Sequence, residues 1–212
     1  MNTVLSPRLS QSLSLILADM GVRDRLTLNE LIQRTELRGV YLLMILLSLP
    51  FISPIPLPGL SNVVGLVIVI LAIQIARGRT PRLPRFIGER AVSHERMEAV
   101  LRASGKFLEA IEKLIKPRFG HWLNSRAARR GNALLLTLLG LLLALPVPPV
   151  LPFTNSLPAW GIIVIAISLI EKDGISIWIG YAIAPGTLLY LVFFAGLLAV
   201  GLDRALHFFQ SL

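Results

Sequence analysis

The side chains able to do chemistry are few, and their types point away from covalent catalysis. The three histidines, His94, His121 and His207, are scattered, and Cys is absent. There is no HExxH pair of ligands, no glycine loop able to cradle a phosphate, and no pair of carboxylates within an apolar segment. No metal, cofactor or enzymatic activity is expected. The nearest acid pair, Glu171 and Asp173, stands beside Gly174. It reads first as a solvated turn at a helix end, and as the place that any ion coupling would have to use. The other polar groups of interest gather at two proline-rich stretches. Ser53, Pro56, Gly59, Ser61 and Asn62 belong to the first, and Pro152, Thr154, Asn155, Ser156 and Pro158 to the second. Ser, Thr and Asn before a helix cap its free N–H groups, and proline is tolerated in its first turn. Those N–H groups, at the positive end of the helix dipole, are also a ready anion site. Gln74, near the end of an apolar run, would face a cavity or an interface.

Composition identifies the frame that holds these residues. Hydrophobic residues make up 54% of the 212 and charged residues 16%, with a mean hydropathy of +0.72. A soluble domain carries about 45–50% apolar and about 25% charged residues. Three segments have no Asp, Glu, Lys or Arg: Val40–Ala76, Asn132–Ile170 and Gly174–Leu202, of 37, 39 and 29 residues. A membrane-spanning helix takes about 20 residues, so the first two are each long enough for two passes. The third is one tilted helix, or two pieces broken at Pro185-Gly186. The short apolar stretch Leu13–Ala18, interrupted by Asp19, does not read as a cleavable signal. Residues 1–39 read as short amphipathic helices. Thr27-Leu28-Asn29-Glu30 is a capping box opening a helix over about 28–38.

Charge sets an orientation. Fourteen of the 21 Lys and Arg lie between Arg77 and Arg130, with only Glu89, Glu95, Glu98, Glu109 and Glu112 among them; this surplus equals the whole net charge of +9. Basic loops beside membrane segments stay on the cytoplasmic side. Within this stretch His94–Ile115 has helical periodicity, with Met97, Leu101, Leu108, Ile111 and Ile115 on one side. It reads as an interfacial helix meeting anionic lipid headgroups over 77–130, and nucleic-acid binding is not expected.

Shifted by 96 positions, residues 42–78 align with 138–174 without a gap, and nine positions are identical. They include Pro50 with Pro146, Pro56 with Pro152, Gly65 with Gly161, and Gly78 with Gly174. Each copy reads as a short leucine-rich helix (about Val40–Leu49 and Ala133–Leu145), a proline-rich break, and a returning helix (about Ser61–Ala76 and Ser156–Ile170). Prolines at this density break a helix. Irregular backbone inside a bilayer is tolerated only where protein covers it or water fills a cavity. The short first helices favour re-entrant hairpins over full crossings with turns at the far surface. Copies that both start and finish in the cytoplasm are related by an axis along the membrane normal; an inverted repeat is the alternative. Charge followed by glycine ends each returning helix, at Arg77-Gly78 and at Glu171-Lys172-Asp173-Gly174.

At these residues the chain resembles the ExoD family of exopolysaccharide-synthesis membrane proteins. The resemblance rests on Leu49-Pro50, Pro54 to Ser61, Gly65, Ala72-Ile73-Gln74 and Gly78. It continues in Lys116-Pro117-Arg118, Leu151 to Ala159, and Glu171 to Gly174, and it covers about residues 27–185. Arg82, before Leu83-Pro84, departs from the tryptophan expected there as an interface anchor. The resemblance implies a multi-pass protein of the bacterial inner membrane, involved in exopolysaccharide production, and carries no settled molecular activity.

The expected fold is an all-α integral membrane protein. It has interfacial and cytoplasmic helices at 1–39, Pro-broken hairpins at 40–78 and 132–174, a basic cytoplasmic segment at 79–131, and a C-terminal membrane helix or helix pair at 175–212. Trp160, Trp178 and Tyr181 are expected interface aromatics. The expected function is a transporter or flippase-like component with its site at the two breaks. The alternative is a non-transporting scaffold of the polysaccharide machinery. Expected partners are membrane lipids, polysaccharide-synthesis proteins, and a second copy of the chain, which Gly180 with Ala184 and Ala195 with Ala199 would let pack closely.

Overall fold

The computed structural model describes residues 26–53, 59–84, 88, 91–92, 118–146 and 153–210. The segment 1–25, the amphipathic stretch His94–Ile115, and the proline runs holding Pro56 and Pro152 lie outside the described residues. Five α-helices are described: α1 Leu28–Ser48, α2 Leu60–Ala76, α3 Arg126–Ala144, α4 Ser156–Glu171 and α5 Ile177–Gln210. Short 3-10 turns stand at Leu49–Phe51 and Gly120–Asn124. Two short strands, β1 Leu26–Thr27 and β2 Ala91–Val92, pair antiparallel, with Leu26 opposite Val92.

Two boundaries differ from the sequence expectation, and of the two alternatives for the third apolar segment the structure shows the single helix. α1 starts where Thr27 signals a start, but it runs through Arg38-Gly39 to Ser48. An interior glycine costs a helix only about 1 kcal/mol, and the buried run Val40–Ile45 that follows outweighs that. α3 starts at Arg126, upstream of Ala133, because Ser125 caps it: the Ser125 hydroxyl accepts the Ala128 N–H at 3.1 Å. α5 continues through Pro185 as one helix rather than two. The proline removes one N–H from the ladder, and two residues on the Thr187 hydroxyl donates to the Ile183 carbonyl at 2.8 Å.

The two hairpins pack on each other more than on themselves. α2 lies chiefly against α3, while α4 lies against α5 and α1. Directions follow from individual contacts. Gly65, early in α2, faces Gly140 and Ala144, late in α3. Arg38, midway along α1, donates to the carbonyl of Ile170 at the end of α4, while Ser156 at the start of α4 donates to Ser53 just past α1. Both breaks therefore lie at one end of the bundle, and both hairpins point the same way. Tyr181 of α5 ties that helix to α3 by donating its hydroxyl to the Asn132 side-chain oxygen. The core between these helices is aliphatic, with Met44, Ile45, Ile68, Leu71, Leu136 and Leu139 fully buried.

α3 and the part of α5 from Ile177 to Leu197 are long and apolar enough to cross a membrane; α2 and α4 are apolar but shorter. This composition points to membrane association.

Gly65 is the tightest glycine contact between α2 and α3. A Cβ built there would sit 2.5 Å from the Ala144 nitrogen and 2.6 Å from the Gly140 carbonyl oxygen. Backbone atoms in a packed helix cannot step aside, so Gly65→Ala should destabilise by at least the ~1–3 kcal/mol typical of overpacking. Gly131→Ala, with open space around it, should be neutral or slightly stabilising. Thermal melting of the two variants in one detergent checks the contrast.

Candidate functional site

The break end collects polar groups inside an apolar bundle. Ser48, Ser61, Thr154 and Ser156 are buried there, Asn62 and Asn155 are half-buried, and Ser53 and Gly59 are exposed. Two hydrogen bonds join one hairpin to the other. Ser156 Oγ donates to the Ser53 carbonyl at 3.2 Å, and Asn62 Nδ2 donates to the Ala144 carbonyl at 3.0 Å. Ser61 Oγ donates to Asn62 Oδ1 at 3.4 Å. Ser48 Oγ, on the last residue of α1, is buried with no hydrogen-bond partner among the described residues.

These side chains do not cap the helices, contrary to the sequence expectation. The residue before α2 is Gly59, with φ +81, so Ser61 and Asn62 already stand within the first turn. Asn155 does precede α4, but its side chain makes no capping bond, and Phe153 before it takes the left-handed conformation with φ 61. Pro158 lies in the first turn of α4, where it lacks no bond that a helix start would supply. The Asn62 amide and the Ser156 hydroxyl reach across to the neighbouring hairpin instead, because a carbonyl at a helix end or break is an acceptor that nothing within its own helix satisfies. Neither N-cap residue makes a side-chain bond to its helix; at the start of α4 the Leu157 N–H closes on the Phe153 carbonyl at 3.0 Å, and Pro158 has no N–H.

Gln74, Glu171 and Asp173 are not brought to this site; they lie at the opposite end of the bundle. Along α2, Gln74 is about 18 Å from Asn62. Gln74 clamps the chain after α2: its Nε2 donates to the Arg82 carbonyl at 2.9 Å and its Oε1 accepts the Arg82 N–H at 2.8 Å. Asn29 grips Leu83 in the same two-point manner from the first turn of α1. Asp173 is 1% exposed. It shapes the entry to α5, accepting from the N–H groups of Ile175 and Ser176 and from the Ser176 hydroxyl at 2.6 Å.

The two returning helices also stop differently. After α2, Gly78 has φ +70, and Arg79 N–H closes on the Gln74 carbonyl at 3.0 Å, the usual glycine-ended stop. After α4 the left-handed residue is Lys172, with φ 55, and not Gly174. Gly174 is needed for space: a Cβ there would be 2.5 Å from the Phe119 carbonyl oxygen and 2.7 Å from Trp122 Nε1. Trp178 and Tyr181 join Trp122 in an aromatic group at this end, with ring centroids 5.4–6.4 Å apart, whereas Trp160 stands in the first turn of α4 near the breaks. Arg77, Arg79, Arg118, Arg126, Arg129 and Arg130 flank the ends of α2 and α3 on the aromatic side.

The chain matches the family model described as Exopolysaccharide synthesis, ExoD, over residues 9–193. The protein belongs to the ExoD family. It is 30% identical over 189 residues to Protein ExoD of Rhizobium meliloti (strain 1021), covering 89% of this chain and 78% of that one. It is 29% identical over 171 residues to an uncharacterized protein of Synechocystis sp. (strain ATCC 27184 / PCC 6803 / Kazusa), covering 79% of this chain and 78% of the relative. No solved structure matches. Membership of the ExoD family ties the chain to exopolysaccharide synthesis.

Sequence reasoning missed three members of the break end and its frame. The Ala144 carbonyl carries no signal in its side chain. Ser48 was hidden in a leucine run. The Asn132–Tyr181 bond joins helices that only the packing brings together. The role read from the structure for Asp173 is testable. Asp173→Ala should cost about 2–3 kcal/mol, since buried bonds to a charged acceptor are lost. Asp173→Asn, which keeps one acceptor oxygen, should cost less than half of that. Melting of both variants, with exopolysaccharide output tracking only the amount of folded protein, is the expected result; a folded Asp173→Asn protein without output would instead favour ion coupling.

Proposed function

We propose that this ExoD-family protein is a non-enzymatic, multi-pass component of the bacterial inner membrane. It moves an anionic intermediate of exopolysaccharide synthesis, a sugar phosphate or a lipid-linked sugar. Its site lies where the two breaks meet, and the N-terminus and the 77–131 segment face the cytoplasm. The observation that carries this reading is the pair of bonds between hairpins, Ser156 to Ser53 and Asn62 to Ala144. They hold the N-termini of α2 and α4 at one level, inside a bundle whose core is otherwise apolar. Discontinuous helices around a shared site are a recurring device of transporters, and helix N-termini attract anions without a charged side chain.

Two further observations support the reading. Exchanging the hairpins maps the α1–α4 contact onto the α3–α2 contact, as a duplication with an axis along the bundle would require. Apart from Arg204 near the end of α5, the arginines of the described helices lie toward the end away from the breaks, which fits the positive-inside rule with re-entrant hairpins opening from the cytoplasm.

The absence of Cys makes single-cysteine labelling direct. Cysteines at Ser53, Asn62 and Ser156 should react with an impermeant thiol reagent from the cytoplasmic side, or from both sides in different states. Labelling from the far side alone would move the scaffold reading ahead. Asn62→Leu should lower exopolysaccharide output by about tenfold or more, as loss of ligand hydrogen bonds worth about 1.5–3 kcal/mol implies, while Gln74→Leu should not.

A further inference from the structure

α5 serves as a ruler. Gly161 of α4 packs against Ile183, and Gly180 of α5 packs against Ile165, so the two helices run antiparallel in fixed register. Extending that register to Ser156, the first residue of α4, places the breaks level with about Leu188 on α5. α5 does not stop there; it continues to Gln210. From Ile177 to Thr187 it rises about 16 Å, and from Leu188 to Leu202, the last residue before Asp203, a further 22 Å or so. The whole charge-free run is therefore about 39 Å long, more than the ~30 Å of a hydrocarbon core, and the breaks fall close to its middle.

The two halves differ in their surroundings. In the first, Ile177, Ala184 and Thr187 are buried against the bundle. In the second, Leu188, Leu189, Val192, Phe193, Leu197 and Val200 are all exposed, Leu189 at 70% and Phe193 at 63%. An apolar surface of this extent is rarely left to water. Its length is enough to cross one leaflet's hydrocarbon half, about 15 Å, with the excess taken up by tilt, and its near end begins where the aromatic and basic end of the bundle is farthest away.

We propose that the second half of α5 is a surface for lipid acyl chains of the leaflet opposite the basic end. α5 is then a full crossing with Asp203 to Gln210 on the far side, and the breaks lie near the bilayer midplane. This rests on the membrane placement proposed above but not on transport. The occupant is lipid rather than a second copy because the exposed side chains spread over about half of the helix circumference, wider than the narrow seam that two packed helices share.

The test uses spin labels on single cysteines at Leu189, Phe193, Leu197 and Val200 of the full chain, reconstituted in phosphatidylethanolamine–phosphatidylglycerol vesicles. Labels should be accessible to oxygen and shielded from a water-soluble nickel complex, with depth greatest at Leu189 and falling toward Val200. An alkaline phosphatase reporter after Leu212 should be active. Nickel access at Phe193, or an inactive reporter with a fluorescent cytoplasmic one, overturns the proposal. Dipolar broadening between copies with no oxygen access also overturns it and gives the surface to a second copy. Gly196→Leu separates these arms again: lipid accommodates the larger side chain with no change in oligomeric state, whereas a packed partner does not. Loss of output in Asn62→Leu with these depths unmet would leave the site reading standing while removing this one.

Discussion

The structure depends on what becomes of backbone polar groups where proline forbids a helix. A carbonyl or N–H without a partner in apolar surroundings costs several kcal/mol. Each hairpin of this protein interrupts its helix with prolines, so each creates such groups at the same level. The protein's answer is reciprocal. The second hairpin's Ser156 satisfies the Ser53 carbonyl of the first break, and the first hairpin's Asn62 satisfies the Ala144 carbonyl at the end of α3. Neither hairpin supplies both bonds for itself. This explains why α2 packs on α3 and α4 on α1 in preference to their own hairpin partners: the packing that buries the leucines is also the one that brings donor to acceptor.

Close approach is what lets so short a donor as Asn62 reach another helix. Gly65 and Gly140 remove the side chains that would hold α2 and α3 apart, and one turn earlier on α2 Asn62 then meets the last carbonyl of α3. Small residues at helix contacts in apolar surroundings commonly serve this purpose. The same logic accounts for Gly174, which stands after α4 much as Gly78 stands after α2 but is used differently. Gly78 supplies a conformation, while Gly174 supplies room for the Arg118–Trp122 segment.

Much of this was legible in the sequence. The apolar runs, the two proline breaks, the returning helices and the basic end follow from composition and spacing, because breakers and charges act locally. The starts of α1 and α3 also carried signals, in Thr27 and Ser125, although the second went unread. What could not be read was which helix faces which. Sequence placed Ser61, Asn62 and Asn155 at helix starts and assigned them to capping, the common local use. The Asn62 amide instead meets the Ala144 carbonyl on another helix, and Ser61 donates to Asn62; no residue type announces such partners. Gln74 failed in the same way: a lone amide in an apolar run carries no mark that it will grip Arg82 eight residues on.

The chemistry available at the breaks is that of fixed dipoles, and this bears on the proposed function. A lysine or arginine at that level would attract an anion strongly, but it would cost about 2.5–3.5 kcal/mol to place at the centre of a bilayer and would bind its ligand in every state. An uncapped helix N-terminus is worth about 0.3–1 kcal/mol to a nearby negative charge at an exposed site, and up to ~2 kcal/mol when partly buried. An attraction of that size would favour entry in the proposed site without making release slow. The hydroxyls of Ser61 and Ser156 and the amide of Asn62 add hydrogen-bonding groups that can exchange a protein carbonyl for a ligand oxygen. Exchange of that kind would loosen one hairpin from the other as the ligand binds, which couples occupancy of the proposed site to the contact that holds the two hairpins together.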